Sequence, residues 1–320
     1  MALAACTSLL SCSPAAKLMP AAPIRLGSYE WPGSFWIDVA WKKGWFAEAG
    51  LNVQRVDVDN RYFPSLDNVA SGKLDAMGFT QFDLVRLVAG GNDLVGVVAI
   101  DFSQGAEALV ARANIHELKD LKGKRLALHR GTYLEYLLSV VAERQGVNLA
   151  DVTLVDRTSE ASAADFLAGK VDAIFVWEPY VARAHAAGGH DLFSTADFPG
   201  LTYSVLTFRR EFLGAHPREV AKLMEVWHRG ERYVHDHPDE SCAIVSELSG
   251  NPLNEVRDLL QKVRVLDLAD NGRAFSYAAG FDSLHGSWRR MNDFMLDRGL
   301  VAARVDSPEH LDSSFIRLLE

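Results

Sequence analysis

The sequence predicts an α/β protein of two lobes. Each lobe is a mainly parallel sheet flanked by helices, two strand crossings form a hinge between them, and a helical cap follows. Three observations carry this reading. Strand-like and helix-like patterns alternate with short connections over residues 24–100 and again over 124–187, the winding of a parallel sheet covered by helices. Gly-Lys-Leu-Asp-Ala-Met-Gly-Phe at 72–79 and Gly-Lys-Val-Asp-Ala-Ile-Phe-Val at 169–176 are near copies at the same point of the two windings. Two more strand patterns, at 107–112 and 202–209, flank the second winding and read as its connections to the first.

In order, 24–29 is a short strand, and 35–49 carries Phe35, Val39, Trp41, Trp45 and Phe46 at roughly helical spacing before Gly50 stops it. Residues 52–58 alternate apolar and polar as a strand, Pro64 opens a short helix ending at Ser71-Gly72, and 75–79 is a strand. A helix over 81–89 is broken by Gly90-Gly91, and 94–100 reads as a buried strand. The second winding repeats the scheme: strand 124–129, helix 132–144, strand 152–156, helix 161–168, strand 172–176 and a helix to 187. Helices then dominate, over 216–235, 240–248, 253–263 and 276–298. The expected division is a leader or tether over 1–23, a first lobe over 24–108, a second over 109–204, and a return to the first lobe with its cap over 205–320.

Composition limits the functional classes. With 48% apolar and 23% charged residues, the 320-residue chain can bury two cores. A net charge of −9 argues against nucleic acid, which requires a clustered basic face. No apolar run reaches the length of about 18 residues that spans a bilayer. The first 23 residues are small, apolar and rich in Ser and Pro, as processing or tether segments are. Within them Leu3-Ala4-Ala5-Cys6 resembles a bacterial lipobox, which makes Cys6 the expected acylation site, although no basic stretch precedes it. Of the three cysteines only Cys242 lies beyond this segment, so neither a disulfide framework nor a cysteine metal site is expected, and no cofactor.

Three strings carry a family resemblance. Gly44-Trp45-Phe46-Ala47-Glu48-Ala49-Gly50-Leu51-Asn52-Val53, Asp120-Leu121-Lys122-Gly123-Lys124 and Asp172-Ala173-Ile174-Phe175-Val176-Trp177-Glu178-Pro179 are similar, in this order, to segments of bacterial substrate-binding proteins of ABC importers. The chain resembles the nitrate, sulfonate, taurine and thiamine-pyrimidine-precursor group of that family. The resemblance implies a type II periplasmic-binding-protein fold and a periplasmic or extracytoplasmic location. It further implies no chemistry, and delivery of a closed, loaded form to a membrane permease. A sensory module would use the same fold. The related pyrimidine synthases carry a cysteine cluster that the body of this chain lacks. A monomer is expected.

The residues point independently to a cleft beyond the carboxyl ends of the strands, where loop amides and helix N-termini converge. After the first strand come Tyr29, Trp31 and Ser34; after the second, Arg61; after the third, Thr80 and Gln81; after the fourth, Ser103 and Gln104. The second lobe offers Arg130, Gly131, Thr132 and Tyr133 at a strand-to-helix junction, and Trp177 with Glu178 after its third strand. Trp31 and Trp177 are placed to face each other across a closed cleft. Arg130, Thr132 and Arg61, with a helix N-terminus, suit a sulfonate-like anion. Glu30, Asp101, Glu107 and Glu178 favour instead an amine-bearing or aromatic molecule stacked on the tryptophans.

Overall fold

The computed structural model describes residues 22–58 and 62–319, so Cys6 and Arg61 lie outside the described residues. The first winding comprises β1 (Ile24–Ser28), α1 (Phe35–Lys43), α2 (Trp45–Glu48), β2 (Val53–Asp57), α3 (Tyr62–Ala70), β3 (Ala76–Thr80), α4 (Gln81–Ala89) and β4 (Leu94–Ser103). The second comprises β5 (Glu107–Ala111), β6 (Arg125–Leu128), α5 (Tyr133–Gln145), β7 (Thr153–Asp156), α6 (Ser159–Leu167), β8 (Ala173–Trp177), α7 (Tyr180–Ala186) and β9 (His190–Ser194). Then come β10 (Tyr203–Arg209), α8 (Arg210–Ala215), α9 (Pro217–Asp236), α10 (Pro238–Ser249), α11 (Leu253–Gln261), β11 (Val263–Val265), α12 (Leu268–Ala274), α13 (Leu284–Asp297) and α14 (Ser314–Arg317).

The strands form a six-stranded sheet in the order β11-β4-β10-β3-β1-β2 and a five-stranded sheet in the order β7-β6-β8-β5-β9. Each contains the same parallel trio, β2-β1-β3 in one and β7-β6-β8 in the other. The returning strand is antiparallel in both: β10 against β3 and β4, and β5 against β8 and β9. The chain leaves the first sheet after Ser103 and returns at Tyr203, so the boundaries expected at 108 and 204 fall inside β5 and β10. Each change of sheet comes a few residues earlier, because the turn at Gly105 (φ 117°) and the segment before β10 carry it, not the strands themselves.

The sequence repeat has a physical basis. In each copy a glycine in the left-handed region, Gly72 or Gly169, ends a helix, and the aspartate three residues later clamps the middle strand of its own parallel trio, β1 or β6. Asp75 accepts a hydrogen bond from the Arg25 amide and donates its own amide to the Arg25 carbonyl (2.8 and 2.9 Å). Asp172 does the same with Arg125, at the same two distances. The clamp sets the registers Leu26 to Ala76 and Leu126 to Ala173, which align the strand ends that face the other lobe.

Several elements differ from expectation. The helix expected over 35–49 is split at Gly44 (φ 74°), which turns Trp45 and Phe46 into the core. β9 and β11 are additional edge strands, the latter starting at the last residue of the helix expected over 253–263. The helix expected over 276–298 begins at Leu284, where the Ser283 hydroxyl accepts from the Gly286 amide. The tail is fastened to the first sheet, where the Asn271 side chain accepts from the Ala99 amide and donates to its carbonyl (2.8 and 2.9 Å), standing in for a strand partner at β4.

Candidate functional site

The lobes meet over aromatic rings. From the first lobe, Tyr29 packs edge-on against Tyr62, which packs against Phe63. Phe63 crosses to the second lobe, its ring centroid 4.9 Å from His129 and 6.2 Å from Trp177. Trp177 in turn stacks on Tyr133 at 6.1 Å with the planes 20° apart. Trp177 stands at the end of β8 opposite Glu107 of β5, so wall and carboxyl share one face of the second sheet.

Acidic groups line this contact. Asp83, at the start of α4, accepts from the hydroxyls of Tyr62 and Thr80 (2.8 and 2.7 Å). Glu107, 1% exposed, accepts from Tyr133 at 3.2 Å and from Thr195 at 3.3 Å. Burial pushes its carboxyl up to about 6, against the hydroxyls of Ser103, Tyr133 and Thr195. Asp101, also 1% exposed, lies against the α-carbon of Gly33, where a Cβ would come within 1.8 Å of its carboxyl oxygen. Burial pushes Asp101 up to about 7, tempered by the nearby Trp31 and Ser204 and reinforced by the charge of Glu107. Among the described residues, neither Asp101 oxygen, nor Trp31 Nε1, completes a well-formed hydrogen bond. Burial likewise holds the phenols of Tyr62 and Tyr133 well above their usual range.

The structure gathers Tyr29, Tyr133 and Trp177 into the aromatic contact and gives other expected site residues structural partners. Thr80 caps α4, and Gln81 donates to the Leu284 carbonyl at 2.5 Å. The hydroxyls of Ser103 and Thr195 meet at 2.7 Å and tie the two crossings together. Gln104 is exposed, its amide held by the Lys262 carbonyl. Ser34 is buried beneath the turn, its hydroxyl without a hydrogen-bond partner among the described residues. Glu178 forms an ion pair with Lys262 from the tail, a bond between lobes, and accepts from the Ala182 amide.

The expected anion seat at the second lobe is filled by the chain itself. Thr132 caps α5, but the Glu135 carboxylate one turn on accepts from the Gly131 amide at 2.8 Å and pairs with Arg298 at 3.0 Å and Arg130 at 3.5 Å. Trp31 and Trp177 do not face each other. Trp31 turns to Asp101, and the ring opposite Trp177 is Phe63, which the sequence reading passed over for its neighbour Arg61. Two open surface hollows of about 480 Å³, one around Asp93, Arg210 and His310 and the other around Tyr277, His285 and Arg289, share no residue with this cluster.

Two lobes joined by two crossings, meeting over rings and acids at strand ends, define a two-lobe solute-binding protein of the periplasmic type. The chain belongs to the NMT1/THI5-like family, whose model matches residues 31–241. It is 24% identical over 289 residues to the "Putative aliphatic sulfonates-binding protein" of Bacillus subtilis (strain 168), a match covering 87% of this chain and 83% of that one. Among solved structures, the periplasmic aliphatic sulphonate binding protein SsuA from Escherichia coli superposes with a TM-score of 0.73 at 19% identity, over 90% of this chain and 91% of that one. The alkanesulfonate-binding protein SsuA from Xanthomonas axonopodis pv. citri, bound to MOPS, gives 0.71 at 20% identity, over 92% and 99%. At these identities the superpositions speak for the fold.

Proposed function

We propose that the protein captures a small, flat-faced organic solute between its lobes, outside the cytoplasmic membrane, and presents the closed form to the permease of an ABC importer. The observation that carries this reading is the aromatic contact of Phe63, Trp177 and Tyr133 at the strand ends of two lobes. Rings so placed supply stacking faces on both sides of a ligand. The family and the kinship with sulfonate-binding proteins support solute capture, and the protein acts by binding alone, as a monomer. A thermal-shift screen of small metabolites, followed by small-angle scattering with each hit, tests it. A hit should raise the melting temperature by mass action and reduce the radius of gyration if the unliganded protein samples open forms. A panel without hits, or hits whose affinity is unchanged by Trp177→Ala, counts against it.

We further propose that Cys6 carries a lipid anchor. In bacterial expression with a supplied leader, the product should fractionate with membranes and Cys6→Ser should release it; a soluble product from both overturns the anchor.

A further inference from the structure

We propose that the solute presents hydrogen-bond donors, as a protonated amine, an amidine or ring N–H groups, to Asp101 and Glu107, and that the cleft excludes a sulfonate. This rests on the solute-capture reading above. Asp101 is 1% exposed; the Trp31 indole and the Ser204 hydroxyl lie near its carboxyl, yet among the described residues neither of its oxygens completes a well-formed hydrogen bond. Buried polar groups are almost always satisfied, and a buried carboxylate without a cation or donors is costly, so an unpartnered one calls for a ligand that completes it. No Lys or Arg among the described residues forms an ion pair with Asp101 or Glu107; Lys262 is engaged by Glu178, and Arg130 and Arg298 by Glu135.

The location also fits. Asp101 lies near the end of β4 against the turn that follows β1, beside Trp31 Nε1. Glu107 stands opposite Trp177 and touches Tyr133, so it continues the aromatic wall, and Asp101 is near enough to feel its charge. Glu107 is met by the hydroxyls of Tyr133 and Thr195, with that of Ser103 beside them, and by no cation among the described residues; a carboxylate has about four acceptor positions, so one is left for a further donor. Among the described residues, three helix N-termini that could seat an anion are already occupied. The N-terminus of α5 is filled by Glu135, that of α4 carries Asp83 bonded to the Thr80 cap, and Asp38 in the first turn of α1 is paired with Arg55. A sulfonate would therefore meet acids where its oxygens need donors, and like charge across a desolvated contact gives strong rejection.

Ring-matched probes test the assignment on the full chain. Benzamidine, benzylamine and 2-aminopyrimidine are compared with benzenesulfonate, ethanesulfonate and MOPS by thermal shift and calorimetric titration. At least one donor-bearing probe should bind and no sulfonate should. Asp101→Asn and Glu107→Gln should each weaken that probe at least tenfold, while Asp101→Asn leaves the unliganded protein at least as stable near pH 8. A purely structural Asp101 would give the reverse, lower stability with unchanged affinity, and that result overturns the proposal. Binding of sulfonates alone also overturns it but leaves solute capture standing. Silence from every probe, together with an empty metabolite screen, removes solute capture and this inference with it.

Discussion

Replacing Asp101 by Asn should stabilise the unliganded protein above neutrality and leave it unchanged in acid. Burial raises the folded carboxyl from 3.8 to about 7, with Trp31 and Ser204 opposing and the charge of Glu107 adding. Between those limits the folded chain keeps a proton that the unfolded chain has released, so stability falls as pH rises through the window. The contribution is fully present below about pH 4 and lost above about pH 7. At about 1.4 kcal/mol for each pH unit, that interval corresponds to roughly 4 kcal/mol. Glu107, raised by burial from 4.5 to about 6, adds roughly 2 kcal/mol in the same direction, and because the two carboxyls feel each other the sum is an upper bound. Asn keeps the shape and has no proton to lose, so the variant's profile should be the flatter one. Urea unfolding of both proteins from about pH 4.5 to about pH 8.5, read as midpoint and slope, should give coincident curves at the acid end. At the alkaline end the variant should lead by about 2–4 kcal/mol. Parallel profiles, or a variant less stable at about pH 8.5, would mean that the native protein already satisfies the carboxylate, and would refute the reasoning.

Trp177→Ala should weaken ligand binding by about 1–3 kcal/mol with most folding stability kept; a loss of about 3–5 kcal/mol in denaturant melts with normal affinity would make it a core residue. Lys262→Met removes the cation bonded to Glu178 across the lobes, so the unliganded protein should expand in small-angle scattering, and an unchanged radius of gyration would show that this pair does not hold the closed form. Gly230→Ala sets a Cβ 2.8 Å from that of Trp36 and 3.3 Å from its backbone where α9 crosses α1; overpacking should cost about 1–3 kcal/mol in urea melts, and a neutral variant would show that the crossing can slide.

What was legible in the sequence follows from which interactions are local. Helix stops, strand periodicity and the aspartate clamps at Asp75 and Asp172 act within one winding, and each leaves a mark in neighbouring residues. β9 and β11 left none. The first is a short, mixed-polarity edge strand, and in the second Val263 continues the apolar spacing of α11, so periodicity carries the helix to it and leaves only Arg264 and Val265, too few to read as a strand. The break at Gly44 was hidden similarly, because Trp45 and Phe46 keep helical spacing on either reading and only the left-handed glycine redirects them. In the site, Trp177 and Tyr133 stood out beside recognisable turns. Phe63 did not, since an aromatic in the first turn of a helix looks the same whether it faces its own sheet or the opposite lobe.

The reading of the anion seat turned on one residue in plain view. Thr132-Tyr133-Leu134-Glu135 has the spacing of a capping box, in which an acid three positions after the cap returns to the free amides of the helix start. Free amides and the helix dipole would draw a sulfonate to that point, and the same physics draws Glu135 first, at no translational cost because it is already tethered. Arg298 and Arg130, the cations that would otherwise assist an anion, are then committed to Glu135. A chain can thus keep the fold, the cap and the arginines of an anion-binding lobe while closing the seat from within. On the proposal above, Asp101, whose oxygens complete no well-formed hydrogen bond among the described residues, and Glu107, met by hydroxyls but by no cation, then become the groups that a ligand must answer.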